Sequence, residues 1–177
     1  MTAPPSRRLS AVRAVAIELD GVLGDTRPLW EGWLEQAARR YSSIATLDPA
    51  SLPRDRASAA RELDGWAEHG IGEWRPALAR YTEEHAPLHL RPDPAVGAAL
   101  RKLGQEGVAV GVFTDAPEPL ARIALAQVGA LRRIERLEAG EGALERLLAD
   151  LGPDTRVVRD REQLAELTSQ LETERSR

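Results

Sequence analysis

Residues 15–26 read VAIELDGVLGDT. An apolar, partly β-branched run from Ala14 to Leu19 meets a turn signal at Asp20-Gly21. Such a run is a buried strand that feeds a loop. The loop is acidic: the strand delivers Glu18, Asp20 and Asp25 around Gly21. Two later segments repeat this design. Val108 to Phe113 (VAVGVF) is a second apolar strand and ends at Thr114-Asp115-Ala116-Pro117. Arg156 to Arg159 is a short strand that ends at Asp160. Ligands of an open α/β sheet bind beyond the carboxyl ends of its strands. Acids and one hydroxyl are therefore expected to meet there. Carboxylates converging from separate strands repel one another unless a hard cation sits between them, and magnesium would want a phosphate to share.

Helical segments separate the strands. Periodicity predicts helices over Pro94–Gln105, Pro119–Val128, Glu141–Leu151 and Glu162 to about Glu174, with a short strand at Arg133–Leu137. Strands alternating with helices give a parallel sheet with helices on both faces. Residues 27–92 differ from this pattern. They hold all four tryptophans, both tyrosines and all three histidines. Leu29, Trp33, Ala37 and Tyr41 fall at helical spacing, and further helices fit Ala57–Glu68 and Glu73–Glu84, with Pro87 beyond the last. Pro49, Pro53, Gly70 and Gly72 break the segment between helices. This is a small helical subdomain. Its tryptophans form its core, with Trp30 near the cleft because it follows the acidic loop so closely.

Composition narrows the function classes. The 177 residues carry a net charge of −4, with 42% hydrophobic and 29% charged residues. That is an ordinary globular balance and argues against nucleic acid as a partner. Cysteine is absent, which excludes disulfides, thiolate catalysis and cysteine-ligated metals. No apolar run is long enough for a membrane span, so the protein is expected to be cytoplasmic. The Pro/Ser/Arg-rich residues 1–11 read as a frayed tail. Of 24 basic residues only Lys102 is a lysine. His85 and His89 are four apart, but Pro87 lies between them and they read as surface histidines.

The acidic stretch resembles the first signature of the haloacid dehalogenase (HAD) superfamily, an apolar strand followed by D-x-D-G-[TV]-L-x-D-[ST]. Asp20, Gly21, Val22, Leu23, Asp25 and Thr26 match it. Residues 110–114, VGVFT, resemble the second signature, and residues 157–160, VVRD, weakly resemble the fourth. The helical subdomain lies where one class of that family inserts a cap. The resemblance implies a three-layer, Rossmann-like α/β core with a short parallel sheet, made of residues 1–26 and 93–177, and a helical cap of residues 27–92. It implies a magnesium-dependent phosphomonoesterase acting on a small phosphorylated metabolite. Glu18 would stand at the nucleophile position and Asp20 would be the acid/base. Thr114 and Asp115 would hold phosphate, and Glu18, Asp20 and Asp160 would hold the metal.

The departures from the signatures bear on activity. Glutamate at position 18 replaces the family's nucleophilic aspartate and sets its oxygen one methylene further out, over ~1 Å, a displacement that can cost about 10²-fold in rate. The family's lysine has no counterpart between Leu137 and Leu151, where the loop Glu138–Gly142 looks shortened; Arg132, Arg133 or Arg136 would have to replace it. Arg159 stands where a glycine is usual, and the chain ends one helix after Asp160. The resemblance therefore implies a weakly active or inactive hydrolase. The alternative is a non-catalytic module on the same fold that senses a ligand or binds a protein. Each acid also has a plain structural reading: Asp25 and Asp160 as helix caps, and Thr114-Asp115 as the start of the next helix.

Overall fold

The computed structural model describes residues 12–42, 44 and 48–175. Residues 1–11, read above as a frayed tail, lie outside them. Four parallel strands, β1 (Ala14–Glu18), β2 (Ala109–Thr114), β3 (Arg136–Ala139) and β4 (Arg156–Val158), form one sheet in the order β3-β2-β1-β4. Register is set by Ala16↔Gly111 and Glu18↔Phe113 between β1 and β2, Ile17↔Val158 between β1 and β4, and Thr114↔Ala139 between β2 and β3. The chain runs β1 to β2 to β3 on one side, then returns to the other side of β1. The strand order therefore reverses beside β1, and the loop after β1 sits at the topological switch point, where such sheets bind ligands.

Alternation sorts the strand side chains. Val15, Ile17, Val110, Val112 and Val158 face one layer of helices, α4 (Pro94–Gln105), α5 (Glu118–Gln127) and α7 (Arg161–Arg175), through Val96, Leu100, Leu103, Leu125, Leu164 and Leu167. Ala16 and Phe113 face the other way, onto Ala143 and Leu147 of α6 (Ala143–Leu151). That layer is one helix thick and sits close. A Cβ on Gly111 would stand 2.6 Å from a Leu147 methyl and 2.9 Å from a Leu151 methyl, so only glycine lets α6 settle on the sheet.

Between β1 and α4, the described residues form three α-helices: α1 (Arg27–Tyr41), α2 (Arg56–Trp66) and α3 (Arg75–His89). They share a core of their own. Trp30, Trp33 and Trp74 are buried and meet with ring centroids 5.3–6.3 Å apart. Leu29, Leu63 and Leu78 complete this core, and Leu120 and Ala124 of α5 extend it. Trp30 is thus part of the aromatic core, 4% exposed, and does not line an open cleft.

Several boundaries differ from expectation for local reasons. α3 continues through Pro87 to His89 because proline in the last turn forfeits only one hydrogen bond near an end that frays anyway. The third strand begins at Arg136 because Leu131–Arg133 form a 3₁₀ turn after α5, closed by the Arg133 N–H donating to the Ala130 carbonyl at 2.8 Å. Glu138 and Ala139 belong to β3, so the loop before α6 is only Gly140-Glu141-Gly142, shorter than the sequence suggested, with both glycines at positive φ. Among the described residues no helix is long and apolar enough to cross a membrane.

Candidate functional site

The loop after β1 is a tight turn. Gly21 takes φ +93°, a conformation that favours glycine, and its N–H donates to the Gly24 carbonyl at 2.8 Å. The Leu23 and Gly24 N–H groups both return to the Leu19 carbonyl. The turn buries Val22 and Leu23 and brings Asp20 back under Thr26, at the start of α1.

Asp20 is the centre of the site. Its Oδ1 accepts from the Thr26 N–H at 2.6 Å and from Thr26 Oγ1 at 2.8 Å. Its Oδ2 accepts from Arg56 Nη2 at 2.5 Å and, at 3.4 Å, from Thr114 Oγ1. A carboxylate offers about four lone-pair sites. All four are taken. Thr114 is buried at the end of β2, and its Oγ1 also accepts from the Ala116 N–H at 3.1 Å. Its carbonyl accepts from the Gly140 N–H, which draws the β3–α6 loop to the same end of the sheet.

Arg56 comes from the inserted helices. It is the first residue of α2, whose N-cap Asp55 accepts from the Ser58 N–H. Its side chain is 6% exposed. Nη1 donates to Thr26 Oγ1 at 2.6 Å, and both Nε and Nη2 donate to Asp115 Oδ1. Burial by itself would lower the Arg56 pKa. The hydrogen bonds and charges of Asp115 and Asp20 outweigh it, and the net shift is upward, so the guanidinium stays charged.

The other predicted residues take separate places. Glu18 ends β1 and meets Arg159 Nη1 at 3.3 Å, while the Arg159 guanidinium also lies over the Phe113 ring. Asp160 is exposed and caps α7, accepting from the Gln163 N–H at 2.8 Å. Asp25 is held by Arg27 through two side-chain contacts of 2.7 and 2.8 Å, and this hydrogen bonding keeps its carboxyl below the ordinary value. The structure therefore brings Asp20 and Asp115 together through Arg56, while Thr114 reaches Asp20 directly. Glu18 and Asp160 each have a local partner of their own.

Architecture of this kind occurs in solved structures. A HAD phosphatase from Thermococcus onnurineus superposes with a TM-score of 0.51 at 16% identity, over 84% of this chain and 77% of that one. CbbY from Rhodobacter sphaeroides, solved with phosphate, gives 0.55 at 13% identity, over 84% and 76%. A predicted phosphoglycolate phosphatase from Haemophilus somnus gives 0.55 at 15% identity, over 86% and 78%. The chain has the haloacid dehalogenase fold. No protein-family model and no curated protein matches it, and the likeness is one of fold.

The expected magnesium set does not fit this version of the HAD fold. Among the described residues no three His, Asp or Glu side chains are grouped so as to hold a metal ion. Asp20 has no free lone pair to offer, Glu18 faces a guanidinium, and the Asp160 oxygen serves α7. The expected replacements for the family lysine also lie elsewhere. Arg132, Arg133 and Arg136 are exposed at the amino end of β3, and Arg136 pairs with Asp150. Lys102 pairs with Glu106 and Glu172 between α4 and α7. His85 stacks on Tyr81 at 4.0 Å, and its Nδ1 lies 2.8 Å from the Tyr81 carbonyl.

Arg56 is the residue that sequence reasoning missed. One signal was present: arginine at a helix N-terminus opposes the helix dipole, so it needs an acid nearby. Four helices here begin with arginine, and each finds one: Arg27 with Asp25, Arg56 with Asp20, Arg75 with Asp64, Arg161 with Asp93. Nothing in the sequence marks Arg56 as the one aimed at the strand ends.

Proposed function

We propose that the chain is a relative of the phosphomonoesterase-type HAD hydrolases, cytoplasmic, directed at a small phosphorylated metabolite, with weak or no turnover. The observation behind this reading is the saturation of Asp20 by Thr26, Arg56 and Thr114. In this reading residues 27–92 are the cap. Glu18 attacks phosphorus as the alcohol leaves, and Asp20 gives its proton to the departing oxygen. Water then attacks the glutamyl phosphate while Asp20 takes a proton back. Thr114 Oγ1 and the Asp115 end of β2 hold the transferring oxygens.

Each step meets an obstacle of charge or length. Asp20 must hand a proton to the leaving oxygen, yet both of its own oxygens already accept hydrogen bonds, Oδ1 from Thr26 and Oδ2 from Arg56 at 2.5 Å. Glu18 must reach phosphorus, yet its oxygen is displaced by a methylene and paired to Arg159. Losses of this kind do not add, because one missing part removes most of the rate of a catalytic unit. The reading is tested by phosphate release from a generic aryl phosphate, with and without magnesium, for the native chain and Glu18→Asp. Little release from the native chain, with recovery in Glu18→Asp, supports it. Vigorous magnesium-dependent hydrolysis by the native chain sinks it.

A second reading is a ligand-sensing or protein-binding module that keeps the fold without the chemistry. The exposed positions of Arg132, Arg133 and Arg136, away from the strand ends, favour it. Silence of both the native chain and Glu18→Asp, with a phosphorylated ligand still bound, selects it.

A further inference from the structure

We propose that Arg56 and Arg159 are built-in counter-cations that take the place of a divalent metal, so that cation binding and the native arginine contacts exclude each other. The acids after β1 and β2 need positive charge. Asp20 and Asp115 share one guanidinium, and Glu18 ends β1 at the same end of the small sheet, where like charges on neighbouring strand ends disfavour one another. In this chain the compensating cations are side chains of the protein itself. Arg56 donates to Asp20 Oδ2 at 2.5 Å, to Thr26 Oγ1 at 2.6 Å and to Asp115. Arg159 reaches Glu18 Oε2 at 3.3 Å and is steadied over Phe113. Two guanidinium groups supply two unit charges, as one divalent cation would.

Geometry makes the exchange exclusive. Magnesium needs oxygen lone pairs in near-octahedral array at about 2.0–2.1 Å. The Asp20 oxygens point their four lone pairs at Thr26, Arg56 and Thr114, and Arg56 is 6% exposed, so it cannot swing to solvent while α2 stays seated. A cation could enter only if Arg56 left, and Arg56 cannot leave without exposing buried charge. This inference does not depend on turnover, and its test reads none.

The test is direct cation binding. Manganese is titrated into the native chain and into Arg56→Met/Arg159→Met and followed by its own paramagnetic resonance. Melting temperature is read in parallel with and without magnesium. The native chain is expected to bind no manganese at this site and to melt at one temperature in both buffers. The double variant is expected to bind one manganese and to lose it on addition of Asp20→Asn. A cation present at about 100 times its Kd and bound only by the folded form should raise the variant's melting temperature by roughly 5–10 °C. A variant that folds only when magnesium is added supports the proposal equally. Saturable binding by the native chain that Asp20→Asn abolishes overturns it. So does a double variant that folds but binds nothing, or one that stays unfolded even with the cation present.

Discussion

Arg56 Nη2 lies 2.5 Å from Asp20 Oδ2, and the two residues belong to different layers of the molecule. Asp20 follows the central strand of the sheet. Arg56 opens the second helix of the inserted segment. The contact therefore pins three helices to the strand ends through buried charge. A second pair, Arg61 with Glu141 at 3.3 Å, bridges the same two parts but is about two-thirds exposed on each side, so it contributes little. In the proposed reading, the contact that seats the inserted helices uses the acid that the chemistry would require.

Removing the guanidinium should therefore be costly. Arg56→Met leaves Asp20, 13% exposed, without its cation and Thr26 Oγ1 without a donor. Breaking a buried pair from one side typically costs about 3–5 kcal/mol. Asp115→Asn removes a contact to a side chain that is 47% exposed, and should cost no more than ~1 kcal/mol. Urea unfolding of the two variants beside the native chain measures both. Equal losses would mean that Asp115, not Asp20, anchors Arg56.

Shortening Glu18 should act on chemistry and spare stability. Glu18→Asp retracts the carboxylate by one methylene and loosens its half-exposed contact with Arg159, a surface pair worth at most ~1 kcal/mol. If reach is the main defect, aryl phosphate hydrolysis should rise by about 10²-fold. Asp20→Asn in that background should return it to the baseline. Unchanged hydrolysis in Glu18→Asp would move the defect to the Arg56 contact.

The scaffold was legible in the sequence because it rests on local signals. Apolar strands that end in Asp-Gly or Thr-Asp, and helices bounded by Pro and Gly, marked the sheet and its carboxyl ends. The boundary errors came where one local rule met another, as at Pro87 inside α3 and at the 3₁₀ turn before β3. The site was less legible because its decisive contacts are distant. Asp20 and Arg56 are 36 positions apart, and Asp115 is 59 from Arg56. Charge alone could not pick that partner from 23 arginines. Asp160 shows the reverse case, since Asp-x-x-Gln before an apolar stripe describes a capped helix as readily as a ligand, and the cap is what forms.

The sheet's thin face gives a test of packing. Gly111→Ala places a methyl 2.6 Å from Leu147, which is fully buried, and 2.9 Å from Leu151. Overpacking of this kind costs about 1–3 kcal/mol. Thermal unfolding should show the loss. Leu147→Ala should soften it, so that the double variant is more stable than the sum of its parts implies. Strict additivity would mean that α6 shifts as a body instead of clashing.

Acid should weaken the inserted helices first. Hydrogen bonding holds the Asp64 carboxyl below its ordinary value of 3.8, chiefly through Arg75 and then Trp74. Ser58 does the same for Asp55 at the α2 cap. A carboxylate with a depressed folded pKa binds fewer protons in the native state than in the unfolded one. Its stabilisation is complete above the unfolded value and is lost as pH falls through 3.8 toward the folded value. Melting temperature should accordingly be insensitive to these groups above about pH 5 and fall below it. Asp64→Asn removes one of them and should shallow that fall while lowering stability at neutral pH, where Arg75 and the Trp74 indole lose an ionised acceptor. Tryptophan fluorescence reads the transition where it starts, because Trp74 donates to Asp64 at 2.9 Å and packs on Trp30 and Trp33. An unchanged acid slope in Asp64→Asn would place the acid-sensitive contacts outside the inserted helices.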